Sequence, residues 1–111
     1  MHFVVSWDIG ASGVEWANLD NKMREKLEPY FYACPLKTLC VVKTESQQEW
    51  DSIYSELITI CKANPNEVHF IMTPLMDGGR YSGFIPENLW EKMNESVKEA
   101  HQTDKVSSGN D

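Results

Sequence analysis

Basic charge is what this chain has least of: ten Lys and Arg stand against 17 Asp and Glu, a formal net charge of -7. A surplus of that sign repels a phosphate backbone at long range and removes the broad basic footprint of ordinary nucleic-acid binders. Cysteine is sparse as well. Cys34, Cys40 and Cys61 make an odd set without a C-x-x-C pair, which argues against a secreted disulfide framework and predicts reduced, buried or half-buried thiols in a cytoplasmic protein. No stretch approaches the roughly 20 apolar residues that span a bilayer, and no basic segment leads into a signal-length apolar run, so no membrane partner is expected. His2, His69 and His101 are not spaced as zinc ligands. The G-x-x-x-x-G-K-[ST] phosphate loop is missing, and no serine or cysteine has a base at a recognisable motif spacing.

What is present is ordinary globular material. The chain has 111 residues, 41% of them hydrophobic and 24% charged, enough for one compact domain and too few for two. That domain is expected over residues 1–100. From His101 to Asp111 the apolar pattern stops, which predicts a polar, disordered tail.

Periodicity sets the element order. Phe3, Val5, Trp7 and Ile9 fall on one face of an opening strand, with Val4, Ser6 and Asp8 on the other. The Gly10-Ala11-Ser12-Gly13 segment breaks that pattern, and Trp16, Leu19, Met23 and Leu27 then recur at helical spacing, with Pro29 at or beyond the helix end. Two apolar runs follow, Tyr30 to Cys34 and Leu39 to Val42. Pro35 confines the first to an edge, a bulge or a loop.

Ser46-Gln47-Gln48-Glu49 is a capping box, in which the serine oxygen accepts from the third helical amide and the glutamate reaches back to the cap amide. Trp50, Ile53, Leu57, Ile60 and Cys61 form the stripe behind it, stopped by Asn64-Pro65-Asn66. Glu67 to Thr73 reads as a strand with Val68, Phe70 and Met72 on one face and His69, Ile71 and Thr73 on the other, His69 being expected as a packed or hydrogen-bonded side chain. A loop at Asp77-Gly78-Gly79-Arg80 leads to a last helix after Pro86, carrying Leu89, Trp90, Met93 and Val97.

Strand, helix, two strands, helix, strand and terminal helix predict an α+β domain: a ferredoxin-like βαββαβ antiparallel sheet, two helices on one face, plus a C-terminal helix. Exposed edges of such a sheet tend to be paired or covered, by the last helix or by a second subunit.

The segments Val4-Val5-Ser6-Trp7-Asp8-Ile9, Leu36-Lys37-Thr38-Leu39-Cys40-Val41-Val42-Lys43-Thr44 and Glu67-Val68-His69-Phe70-Ile71 resemble the small CRISPR-associated proteins of the second Cas family and their virulence-associated-protein-D-like relatives, over residues 2 to 76. The resemblance implies a Cas-two-like homodimer and a metal-dependent endonuclease acting on RNA or DNA, or a structural subunit of a nucleic-acid-processing complex. Asp8 matches the family's aspartate at the end of strand one. By that resemblance it is the catalytic residue and the ligand of Mg2+ or Mn2+, two copies facing each other across the dimer axis; a hard cation relieves the repulsion between such carboxylates.

Ser6 shares the face of Asp8 and can assist a substrate. Arg80, with the amides of its glycine-rich loop and Tyr81, can hold a phosphate or carboxylate. The bland reading of Asp8 is a strand-end carboxylate hydrogen-bonded to the Gly10–Gly13 amides. The family's basic residues after strand one are replaced here by Ala11-Ser12-Gly13-Val14-Glu15. With the acidic balance, this supports the alternative of a non-catalytic acidic interaction protein that binds or regulates a partner in a defence or phage system.

Overall fold

The computed structural model describes residues 1–79 and 81–97. Among them lie β1 (His2–Ile9), α1 (Gly13–Glu25), β2 (Tyr32–Leu36), β3 (Leu39–Lys43), α2 (Gln47–Ala63), β4 (Val68–Met72) and α3 (Glu87–Val97). The four strands make one sheet in the order β2-β3-β1-β4, and every neighbouring pair is antiparallel. The domain is thus α+β. Arg80 and the expected tail at 101–111 fall outside the described residues.

Alternation along β1 works as its sequence demands. Phe3, Val5, Trp7 and Ile9 are buried, whereas Val4 and Ser6 are partly open and Asp8 is exposed. The buried set meets Leu19 and Met23 of α1 and Ile53 and Leu57 of α2, so both helices lie on one face of the sheet. Val68 and Phe70 of β4 join the same core. Pro35 sits in β2, an outer strand, where the pairing with β3 shifts register between Ala33 and Leu36; a residue without an amide hydrogen is tolerated at such an edge bulge.

The capping box at α2 is formed with one change. Ser46 Oγ accepts from Glu49 N at 3.2 Å, but the Glu49 carboxylate accepts from the amide of Glu45 at 2.8 Å, one residue upstream of the cap. Its long side chain overshoots the Ser46 amide to satisfy the amide before it. At the far end Asn64 Nδ2 donates to Ile60 O and closes the last turn.

The terminal helix packs over the outer strand β2 and its neighbour β3 and leaves the other outer strand, β4, uncovered. Met93 and Val97 of α3 pack on Val41 of β3, with Val4, Ile85 and Trp90 around them, and α3 contacts β2 and β3. It therefore roofs half of the face opposite α1 and α2. The other half, over the end of β1 and β4, is left open by the described residues.

The cysteine expectation is overturned in part. Cys34 and Cys40 form a disulfide, and only Cys61 is free. Ala33 pairs with Val41 across β2 and β3, so the next residues, Cys34 and Cys40, stand opposite one another. Spacing along the chain says nothing of this, because the hairpin register creates the approach. The burial expectation stands: Cys40 is buried and Cys34 and Cys61 are half-buried.

Candidate functional site

On the open half-face, register decides which side chains meet. Asp8 is paired with His69 and Ser6 with Ile71 across β1 and β4. Directly opposed residues of an antiparallel pair hold their Cβ atoms about 5 Å apart, close enough for a carboxylate and an imidazole to act on one ligand. These residues, with Trp7 and Phe70 beneath, line a shallow depression of about 320 Å³. Asp8 and His69 are exposed, and Ile71 is 73% exposed although it stands in mid-strand.

The Asp8 carboxylate makes no hydrogen bond or ion pair among the described residues. The expected bonds to the Gly10–Gly13 amides do not form. Gly10 N instead donates to Glu67 O at 2.7 Å, continuing the β1–β4 ladder past the strand ends, so that amide points along the sheet plane while Asp8 projects from its face. The structure therefore brings Ser6 and Asp8 together and adds His69, expected from the sequence as a packed or hydrogen-bonded strand side chain and instead exposed opposite Asp8.

A hard divalent cation takes about six oxygen ligands, of which Mg2+ keeps several as water and one or two as carboxylates. No group of three His, Cys, Asp or Glu able to hold a metal occurs among the described residues. The chain thus offers Asp8 as a single hard donor with His69 beside it, short of a cation's ligand set among the described residues.

Arg80, around which an anion site was expected, lies outside the described residues, and only its neighbours can be placed. Gly78 and Gly79 adopt φ of 63° and 101°, the left-handed region glycine tolerates, and make the expected turn. Tyr81, however, turns inward: its hydroxyl is hydrogen-bonded to Nε2 of the buried His2 at 2.9 Å, and burial pushes its pKa up. Asp77 lies 3.9 Å from the terminal amine of Met1 and places a carboxylate in the same turn.

Three polar arrangements have no counterpart in the reading of the sequence. Asp20 is buried, accepting from Trp7 Nε1 at 2.9 Å and from Arg24 Nε at 2.8 Å. Arg24 also stacks over the Trp7 ring and donates to the Lys37 carbonyl, tying α1 to β1 and to the β2–β3 turn. The i, i+4 spacing of Asp20 and Arg24 on a helix was a readable signal. Lys37 Nζ in turn lies 4.4 Å from the centroid of the Trp16 ring. Thirdly, the Glu67 carboxyl is held above its usual range by a hydrogen bond shared with Glu15 and by that group's charge.

No helix among the described residues is long and apolar enough to cross a membrane. In comparisons with protein-family models and with curated proteins, nothing matches this chain.

Proposed function

We propose that this chain is a cytoplasmic Cas-two-like protein with a ferredoxin-like βαββαβ core, that it works as a homodimer, and that the Asp8–His69 face is its functional surface. The strand order β2-β3-β1-β4, with two helices on one face, supports the ferredoxin-like reading. The observation that carries the function is Asp8 itself: an exposed carboxylate without a protein partner, opposite a histidine, on the half-face that α3 leaves bare.

A second copy is the occupant that completes such a face. It covers Ile71, whose full burial is worth about 2 kcal/mol, and it brings a second Asp8 to supply the missing hard donor. Asp8 of each copy would hold Mg2+ or Mn2+, which when bound neutralises the carboxylates and activates water for phosphodiester hydrolysis. In this reading His69 would accept or return a proton, and the Ser6 hydroxyl would bind a phosphate oxygen. Sedimentation velocity of the wild type and of Ile71→Glu tests the assembly. Incubation with single-stranded RNA and duplex DNA in Mg2+ or Mn2+ tests the chemistry. A dimer dissociated by Ile71→Glu, and cleavage falling at least about 100-fold in Asp8→Asn, are expected. Cleavage that survives Asp8→Asn removes that residue from the mechanism.

The net charge of -7 favours a second reading, a non-catalytic acidic protein that binds a basic partner through the same face. Absence of salt-sensitive nucleic-acid binding, together with capture of a basic protein lost in Asp8→Lys, decides for it.

A further inference from the structure

We propose that the Cys34–Cys40 disulfide is a thiol-exchange site: low-molecular-weight thiols of the glutathione class attack Cys34, and Cys40 leaves as a thiolate held by Arg24. The two cysteines face each other across β2 and β3, their Cα atoms 4.0 Å apart. Their surroundings differ. Cys34 is half-buried on the outermost strand, whereas Cys40 is fully buried in the core beneath α1. Arg24 Nη1 lies 3.9 Å from Cys40 Sγ and donates to it.

Those differences assign the direction of exchange. A thiolate attacks the sulfur it can reach, and the leaving sulfur departs faster as its thiol becomes more acidic, which a neighbouring guanidinium brings about. In the first step a bond forms between the incoming sulfur and Cys34 Sγ, the Cys34–Cys40 bond breaks, and its electron pair goes to Cys40 Sγ beside Arg24. The step reverses when the Cys40 thiolate attacks Cys34 and expels the thiol. Alternatively, a second thiolate attacks the incoming sulfur, so that two small thiols become one disulfide while Cys34 and Cys40 are reduced. Arg24 is a positioning residue in this scheme. It also binds Asp20 and the Lys37 carbonyl, so the charge state of Cys40 is felt by the contacts joining α1 to the β2–β3 turn.

Intact-mass measurement of the folded protein in reduced and oxidised glutathione, followed by peptide mapping, tests the site. One glutathione on Cys34 and none on Cys40 is expected, with the adduct accumulating in Cys40→Ser because the resolving thiol is gone. The first exchange step is expected to slow about tenfold in Arg24→Gln, with circular dichroism confirming its fold. An adduct on Cys40, an unchanged rate in folded Arg24→Gln, or free thiols at Cys34 and Cys40 under oxidised glutathione would each overturn the proposal. The wild-type adduct position decides even if Arg24→Gln does not fold.

Discussion

One sheet presents two very different faces. On the inner face, α1 and α2 seal Phe3, Val5 and Trp7 so completely that a carboxylate there, Asp20, is accompanied by an indole donor and a guanidinium. On the outer face α3 packs chiefly over β2 and β3, and the carboxylate beyond it, Asp8, stands alone opposite His69. The contrast teaches where an acidic group serves the fold and where it is available for work. Removed from water, a carboxylate is retained only with donors that replace its hydration, whereas one at the surface keeps its hydration and remains free to exchange it for a ligand.

Truncation on the two faces gives the widest expected separation. Phe3→Ala empties a site in the sealed core and is expected to lower stability by about 3 to 5 kcal/mol, whereas Ile71→Ser, on the open half, is expected to change the monomer by no more than about 0.5 kcal/mol. Urea unfolding with an unchanged m-value checks both. A large loss at Ile71 measured only at high protein concentration reports the proposed dimer instead.

The two aspartates sharpen the comparison. Asp20→Ala leaves the Trp7 N–H and the Arg24 guanidinium without their acceptor and is expected to cost about 2 to 3 kcal/mol, the part-open position of Arg24 softening the penalty. Asp8→Ala removes no protein contact, so its thermal midpoint is expected to stay with that of the wild type. If Asp8→Ala destabilises as much as Asp20→Ala, the open half-face is not free for a ligand.

The smallest effect concerns the Glu15–Glu67 pair at the β1 end of the sheet. Because the Glu67 pKa is raised in the folded protein, folding favours its protonated form. The stabilisation from this group is present at pH below the ordinary glutamate range and is lost as pH rises through the elevated value. Glu67→Gln is therefore expected to be slightly more stable than wild type at neutral pH and equal to it in acid, a convergence that thermal melts between pH 3 and 7 would reveal.

Much of the fold is legible in local pattern. Alternation in residues 2–9 and 67–73, the Ser46 cap and the stripe from Trp50 to Cys61 each specify an element through contacts a few residues apart. The site is legible only by halves. Asp8 and Ser6 were placed together because they share one strand, but Asp8 and His69 meet through a register 61 positions apart in sequence. Cys34 and Cys40 looked like isolated thiols for the same reason, their encounter depending on how β2 and β3 slide past one another.

By itself the sequence determined which residues face inward, where helices begin, and that basic charge would be scarce, since periodicity, capping and net charge are properties of neighbouring residues or of the whole sum. Only the tertiary structure decided that α3 roofs half a face, that Asp20 is enclosed and Asp8 bare, and that two cysteines join. Those outcomes depend on strand order and register, which arise from the packing of distant segments and have no local signature.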